Sequence, residues 1–414
     1  MHIKSDVMGS VVDFDQARSP RSRSALVLGG GGFTGAVYEI GALRALDLLS
    51  VNRAVNQFDV YVGTSAGALV AAAVANGVMP EEMMRVVVEQ TSGLPRARPA
   101  ALLRPNYLEY VVRAAELPWR LATLTVGLLR DAGQITAVDV VAGLAEALPS
   151  GLYSAGGIER YVREVLSMEG RTNDFRSLDR ELLLAATDLD TAERIVLGST
   201  GWDDVPISEA VAASSALPMV YKPVTIKGRE LIDGGITSTT NLDLAVEAGA
   251  EFIVVVNPLV PYTNDFKAQV RTMSGSRPRR VSDLGFPHIG YQAFKMVAHQ
   301  RLHELARNWE QRYPGVDIIL IEPEASDDLM FRTGIMSATS TVDVARHGFH
   351  SVTLKLSQDY PRFKAICARH GIKISATRVQ EMVERLEADQ EKTSAWRKIL
   401  EQTTATLLRQ SAQE

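Results

Sequence analysis

The sequence predicts an α/β fold, a three-layer sandwich with a mainly parallel central sheet covered by helices on both faces. Short apolar runs alternate with longer stretches of helical periodicity, which is typical of parallel strands joined by helices. With 414 residues and 46% hydrophobic composition, the chain can bury a large core. We predict strands at 25–28, 59–62, 182–187, 194–197, 252–256 and 317–321, the third and fourth pairing through a turn.

Composition and charge exclude several classes of protein. The net charge of -5 argues against a general nucleic-acid binder. Cys367 is the only cysteine, so no disulfide can form within the chain and nothing indicates an oxidising compartment. Residues 1–23 lack the hydrophobic segment of a signal peptide, and no uncharged run reaches the roughly 18 residues that a membrane-spanning helix needs. We therefore expect a cytoplasmic protein.

The first predicted strand ends in a loop that consists almost entirely of glycine. Its glycines are Gly29, Gly30, Gly31, Gly32 and Gly35. Backbone amides of such a loop can point at one anion, and the last glycine lets the following helix pack closely. The spacing also matches the dinucleotide-binding pattern G-x-G-x-x-G, so a Rossmann-type nucleotide-binding protein is the main alternative. Its ribose-binding carboxylate would be Asp47, which lies inside a helical pattern before the second strand.

The second predicted strand ends in a G-x-S-x-G pattern formed by Gly63, Ser65 and Gly67. In this pattern the serine occupies a tight turn between a strand and a helix, and the flanking glycines let the chain reverse direction. The helix that follows, 66–76, is rich in alanine, valine and leucine. Ser65 would therefore lie at the positive end of a buried helix, where a developing negative charge is favoured, and it is the candidate nucleophile.

A carboxylate follows in Asp233, Gly234 and Gly235, at the end of a short apolar strand. Alone, this triplet is usually a turn. Here it comes third along the chain, after the glycine-rich loop that could bind an oxyanion and after the candidate nucleophile. An aspartate with the ordinary pKa of about 3.9 is a weak acceptor for a serine proton. The site would therefore have to raise the pKa by desolvation, with which the apolar neighbours are consistent, or couple proton transfer to oxyanion stabilisation.

The positions of the histidines favour a dyad over a triad. Apart from His2, no histidine precedes His288, so a triad would have to take its imidazole from the last third of the chain. That arrangement remains open, since classical hydrolases place histidine last. His299 and His303 have helical i, i+4 spacing but no accompanying H-E-x-x-H pattern, so we interpret them as lining a helix face and expect no metal site.

With these motifs in this order, the chain resembles the patatin-like phospholipases, serine acyl hydrolases that use a Ser-Asp dyad. The resemblance covers roughly 24–258, including the segments 213–218 and 221–224, and continues weakly to about 355. It implies Ser65 as the nucleophile, Asp233 as the base and no cofactor. It further implies an oxyanion hole made of the amides of Gly30, Gly31 and Gly32. The sequence departs from the family pattern at Thr34, where an arginine or lysine is usual.

We call the tight turn of the G-x-S-x-G pattern the elbow. A basic and apolar insertion, at about 94–150, separates the helix that follows the elbow from the next strand. Within 94–130, six arginines and two glutamates give a net charge of +4. Arginine together with tryptophan and leucine suits peripheral contact with an anionic membrane, whereas amphipathic helices packed on the domain are the alternative interpretation. The residues predicted to contact lipid are Arg96, Arg98, Arg104 and Trp119.

Three segments are predicted along the chain: a tail at 1–23, the α/β domain at 24–360 and a charged helical extension at 361–414. The expected partners are a lipid or fatty acyl ester substrate, an anionic membrane and, through the extension, a second copy of the chain. A non-catalytic scaffold or self-assembling module is the third class of function left open.

Overall fold

A computed structural model describes residues 22–87, 93–95, 99–130, 148–267, 269–272, 275–325, 329–330, 341–382 and 384. The helices are α1 (Gly32–Leu49), α2 (Ala66–Ala75), α3 (Pro80–Val87), α4 (Pro99–Leu102), α5 (Tyr107–Arg130), α6 (Gly156–Leu166), α7 (Ile207–Ser214), α8 (Leu242–Glu247), α9 (Phe286–Arg312), α10 (Thr341–Gln358) and α11 (Tyr360–Arg369). The strands are β1 (Ser24–Leu28), β2 (Val60–Thr64), β3 (Arg104–Pro105), β4 (Gly151–Ser154), β5 (Glu181–Asp188), β6 (Arg194–Leu197), β7 (Met219–Tyr221), β8 (Val224–Ile226), β9 (Arg229–Asp233), β10 (Phe252–Val256), β11 (Gln269–Thr272), β12 (Gly275–Pro278) and β13 (Asp317–Ile321).

The central sheet has the strand order β13-β10-β1-β2-β5-β9-β8, with β6 also paired to β5. The first five strands of this order are parallel, whereas β6, β8 and β9 add antiparallel pairs on one side. The predicted strands all occur within a few residues of their predicted bounds, and the hairpin between β5 and β6 is confirmed.

Helices cover both faces of the sheet, which confirms the predicted fold class. Successive strand residues point to opposite faces. Leu26 and Leu28 belong to the core shared with α1, α2 and α10, whereas Ala25 and Val27 belong to a second core with α8 and Leu302 of α9. Every residue of β1, β2 and β10 is buried, as expected for parallel strands between two helical layers.

The two helices α1 and α10 cross at a very short distance because glycines lie at the contact. A Cβ atom added at Gly41 would lie 2.0 Å from the carbonyl oxygen of Ala345, and one added at Gly348 would lie 2.3 Å from that of Tyr38. The last third of the chain is thereby fixed against the helix that begins at the glycine-rich loop.

The insertion and the start of the C-terminal extension both contact the α/β core. Strand β3 pairs with β4, which in turn pairs with β7. Phe363, Val379 and Met382 are buried in the core next to α1. In the part of the chain that the structure describes, no helix combines the length and the apolar character needed to cross a membrane.

Candidate active site

The turn between β2 and α2 holds Ser65 in a strained conformation. Its φ of 55° and ψ of -123° are rarely adopted by a residue with a side chain. The amide of Ser65 donates to Ser214 Oγ at 2.9 Å, and the hydroxyl of Ser215 donates to the Ser65 carbonyl at 3.0 Å. The backbone of the elbow is therefore fixed on both sides by hydrogen bonds from one helix end.

The glycines of the elbow are required because backbone atoms crowd them. A Cβ atom at Gly63 would lie 2.6 Å from Ala68 Cα, and one at Gly67 would lie 2.3 Å from the Leu28 carbonyl oxygen. The second contact brings α2 directly against the end of β1, where the glycine-rich loop begins.

The side chains of Ser65 and Asp233 meet directly. Ser65 Oγ donates to Asp233 Oδ2 at 2.5 Å, and the other carboxylate oxygen, Oδ1, accepts the Gly235 amide at 2.7 Å. Both residues are buried, with 8% and 3% of their surfaces exposed. The pairing of β9 with β5 positions Asp233, which lies opposite Ala186. Glycine is required at Gly234 because a Cβ atom there would lie 2.2 Å from the Ala185 carbonyl oxygen.

Burial raises the pKa of Asp233 to about 6. The hydrogen bonds from Ser65 and Gly235 act in the opposite direction, because they stabilise the ionised carboxylate, but their effect is smaller. A carboxylate with this pKa is a better proton acceptor near neutral pH than an exposed aspartate.

The structure differs from the sequence prediction at Gly30. Its amide donates to the Thr239 carbonyl at 2.9 Å and is therefore not free to bind an oxyanion in this conformation. Gly31 is the N-cap of α1 and Gly32 its first residue, with φ of 62°, so neither amide has an acceptor within the helix. Gly31 and Gly35 pack against Pro258, and a Cβ atom at Gly31 would lie 2.8 Å from Pro258 Cγ.

Several residues that support this arrangement were not predicted. Ser214 donates to the Ala185 carbonyl at 2.6 Å while accepting the Ser65 amide. Asn241 donates to Thr64 Oγ1 at 2.9 Å. Ser214 ends α7 and Asn241 precedes α8, positions at which polar residues are common, so only the tertiary contacts reveal their roles.

An apolar cavity of about 320 Å³ opens onto Ser65, Asp233 and the glycine-rich loop. Its walls are formed mainly by α1, α2, α3, α6 and α9. The apolar lining includes Val37, Ile40, Leu69, Val86, Val162, Leu217 and Phe294. Few polar groups at one end of an otherwise apolar cavity suit a ligand with an ester group and a hydrocarbon chain. Within the described ranges, no histidine lines this cavity.

The predicted lipid-contact residues are only partly described. Arg104 is half-buried in β3, and Trp119 on α5 has 75% of its surface exposed. Arg96 and Arg98 lie outside the described residues. The insertion does reach the site, because Leu94 and Leu102 line the cavity.

The geometry does not favour dinucleotide binding. Asp47 lies inside α1, where its carboxylate accepts the Val55 amide at 3.2 Å and lies 3.8 Å from the Arg44 guanidinium. A ribose-binding carboxylate belongs at the end of the second strand, and Asp47 lies before that strand begins.

A family model described as patatin-like phospholipase matches residues 26–246, more than half of the chain. Among solved structures, the chain is similar to VipD from Legionella pneumophila, with 17% identity, a TM-score of 0.37 and coverage of 82% of this chain and 67% of that one. It is also similar to human GIVD cytosolic phospholipase A2, with 11% identity, a TM-score of 0.35 and coverage of 84% and 59%. A third similar structure is ExoU from the type III secretion system of Pseudomonas aeruginosa, solved with SpcU. It has 13% identity, a TM-score of 0.28 and coverage of 91% of this chain and 62% of that one. The chain thus spans about two thirds of the length of these proteins or less. None of the curated proteins matches the chain.

Proposed function

The chain belongs to the patatin-like phospholipase family of lipid acyl hydrolases, and on that basis we propose that Ser65 and Asp233 hydrolyse fatty acyl esters of membrane lipids. The observation that carries this proposal is the direct hydrogen bond of 2.5 Å between Ser65 Oγ and Asp233 Oδ2, at the end of an apolar cavity. A buried carboxylate in contact with a serine hydroxyl has no evident structural purpose, whereas it suits proton transfer.

In the first half of the reaction, Asp233 accepts the proton of Ser65 while Oγ attacks the ester carbonyl carbon. The carbonyl oxygen becomes negatively charged, and the amides of Gly31 and Gly32 are the donors best placed to stabilise it. The amide of Ala66, the first residue of α2, is a further candidate donor. Protonated Asp233 then returns the proton to the departing alcohol, which leaves an acyl group on Ser65.

In the second half, the roles repeat with water. Asp233 accepts a proton from water, whose oxygen attacks the acyl carbon, and the same amides stabilise the second oxyanion. Collapse of this intermediate breaks the bond to Ser65 Oγ, which recovers the proton from Asp233. The products are a fatty acid and the regenerated dyad.

The substrate is proposed to reach the cavity from a membrane surface. Tyr107, Val111 and Trp119 lie along α5, and all three are exposed. Tyr110 of the same helix donates to the Leu152 carbonyl in β4, which pairs with β7. In β7, Met219 is 75% exposed and lies between Leu217 and Tyr221, which line the cavity.

We call these exposed side chains the apolar face; its members are Tyr107, Val111, Trp119, Leu152 and Met219. Side chains of this kind can enter the interfacial region of a bilayer. The arginines predicted from the sequence, Arg96, Arg98 and Arg104, would bind anionic head groups. The enzyme would then bind membranes peripherally and draw an acyl chain into the cavity.

A turnover assay tests the proposed chemistry. Wild-type protein and the Ser65→Ala and Ser167→Ala variants are incubated with a phospholipid and with a short soluble ester. Ser167 is a matched control, because its hydroxyl donates to the Arg163 carbonyl at the end of α6 and, in the part of the chain that the structure describes, does not line the cavity. We expect Ser65→Ala alone to abolish hydrolysis of both substrates while circular dichroism shows a folded protein. Undiminished turnover by Ser65→Ala would refute the assignment.

A further inference from the structure

A second cluster of chemically active side chains lies outside the proposed catalytic site. His299 and His303 are one turn apart on α9, and Glu322 directly follows β13. His303 Nε2 lies 2.8 Å from Glu322 Oε2, and His299 Nδ1 lies 3.8 Å from Glu322 Oε1. One ligand atom from each residue falls within 4.8 Å of the others. None of the three lines the cavity or contacts the dyad.

The donor atoms fit a zinc site in type and in spacing. Imidazole nitrogens and a carboxylate oxygen are ordinary Zn²⁺ ligands, and bond lengths of about 2.0–2.1 Å in a tetrahedron place neighbouring donors about 3.3 Å apart. The two histidine nitrogens approach the two oxygens of one carboxylate, His303 Nε2 at 2.8 Å from Oε2 and His299 Nδ1 at 3.8 Å from Oε1, distances on either side of this value. Histidines at i and i+4 present both rings on one face of a helix, as in helical zinc motifs.

Two further observations support metal binding at this cluster. His299 Nδ1 is buried and has no hydrogen-bond partner among the described residues, which is unfavourable unless another group binds it. Asn257 Nδ2 donates to Glu322 Oε1 at 2.7 Å and so orients the carboxylate, as partners of metal-bound carboxylates do.

We propose that His299, His303 and Glu322 bind a divalent transition-metal ion, Zn²⁺ by their donor set, with one coordination position left for water. The sequence alone did not indicate this site, because the carboxylate comes from the sheet and not from the histidine helix. The ion would fasten α9 to the carboxyl end of β13. Since Tyr291 and Phe294 on the same helix line the cavity, the ion would hold one wall of the substrate site in place.

A metal-free arrangement is the competing explanation. His303 and Glu322 would then form an ordinary ion pair, with Lys355 adding positive charge near the same carboxylate. The two explanations differ in whether the cluster takes up a metal ion with defined stoichiometry.

Calorimetric titration distinguishes the metal site from the metal-free ion pair. Zn²⁺ is titrated into the full chain, from which a chelator has first removed any bound metal. We expect one equivalent to bind, and the Co²⁺ form to show the visible absorption of a four- or five-coordinate site. His299→Ala, His303→Ala and Glu322→Gln should each weaken Zn²⁺ binding by more than about tenfold, because even partners that only orient ligands contribute 10–100-fold.

His288→Ala is the matched control, since His288 lies on the same helix but outside the cluster. It should bind Zn²⁺ as the wild type does. His303 is a suitable test position because 41% of its side chain is exposed, so its removal is compatible with folding. Zn²⁺ should raise the melting temperature of wild type and not of His303→Ala. Absence of saturable binding in the wild type, or equal affinity in the three ligand variants, would overturn the proposal.

Discussion

Ser65 and Asp233 are each held in an energetically unfavourable state, a strained backbone for the serine and a buried carboxyl group for the aspartate. The serine has a positive φ, and its backbone is fixed by Ser214 and Ser215. The aspartate carboxylate is buried, and it accepts hydrogen bonds from the Ser65 hydroxyl and the Gly235 amide. The strained turn was expected from the G-x-S-x-G pattern, since small residues are needed where the chain reverses tightly. Burial of the aspartate was consistent with its apolar neighbours in the sequence.

The raised pKa of Asp233 predicts how activity depends on pH. The base must be ionised to accept a proton, so kcat/KM on a soluble ester should rise with pH through an apparent pKa of about 6. Below this value, kcat/KM should fall about tenfold per pH unit. A profile that stays flat between pH 5 and 8 would contradict the assignment of Asp233 as the base.

Asp233→Asn should be nearly as damaging as Ser65→Ala, because the amide cannot accept the serine proton. Single replacement of His288, His299, His303, His347, His350 or His370 should leave turnover within about tenfold, a barrier change of about 1.4 kcal/mol. Steady-state kinetics on folded variants measures both effects. A loss of a hundredfold or more at one histidine would instead indicate a triad.

Glu39 offers a prediction about stability instead of catalysis. It is fully buried on α1, and neither carboxylate oxygen has a hydrogen-bond partner in the described part of the chain. Burial raises its pKa well above the ordinary value, and the nearby Gly29 backbone lowers it by less. The native state therefore holds a proton that the unfolded state releases, so the unfolding free energy falls as pH rises above the unfolded-state pKa.

Glu39→Gln removes this dependence because glutamine does not ionise. Between the two pKa values, wild-type stability should fall by about 1.4 kcal/mol per pH unit from this residue alone. Urea unfolding at pH 5.5 and 7.5 should show the variant gaining on wild type at the higher pH. The same stability difference at both pH values would mean that Glu39 does not titrate abnormally.

At the scale of elements, the site forms where the carboxyl ends of parallel strands meet. The glycine-rich loop follows β1 and the elbow follows β2, so α1 and α2 both direct their N-termini toward the same cavity. This geometry follows from the strand pattern, which the sequence displays clearly. The strand pattern does not reveal that the Gly30 amide donates to the Thr239 carbonyl, because Thr239 lies far along the chain.

The apolar face makes a prediction about membrane binding. Tyr107→Ser with Trp119→Ser should reduce co-sedimentation with anionic vesicles and hydrolysis of vesicle-borne lipid, yet spare a short soluble ester. Val51→Ser is the matched control, because Val51 is 51% exposed and precedes β2, at the opposite end of the sheet from Ser65. Equal loss on both substrates would indicate that α5 only supports the fold.

The arginines of the insertion predict a salt dependence of that binding. Each basic side chain near an anionic membrane contributes about 1 kcal/mol, and salt screens this attraction. Replacing Arg96, Arg98 and Arg104 with glutamine should therefore weaken vesicle binding most at low ionic strength. Binding of wild type that is equal on neutral and anionic vesicles would contradict a role for these charges.

At the scale of the whole molecule, local motifs were predictable and contacts between distant segments were not. Strand positions and the tight turn at Ser65 could be predicted because each depends on neighbours in sequence. The catalytic roles of Ser65 and Asp233 stay predictions. Helix α9 forms one wall of the cavity and carries two of the proposed metal ligands, but it has no motif and lies beyond residues 26–246. Its position depends on tertiary packing, which periodicity alone does not reveal.

The C-terminal extension is described only at its beginning. Arg378 donates to the Ser50 carbonyl at 2.8 Å, which attaches this segment to the end of α1. Residues beyond 384 lie outside the described chain, so self-association through the extension stays a prediction. The domain limits at 24–360 and 361–414 likewise stay predictions.

Covalent labelling tests the central claim most directly. A fluorophosphonate reacts with an activated serine, and mass spectrometry of the digested protein identifies the modified residue. We predict one label on Ser65, formed by the wild type, strongly slowed in Asp233→Asn and absent in Ser65→Ala. A label on Ser214 or Ser215, or no label on a folded wild-type protein, would contradict the assignment of Ser65 as the nucleophile.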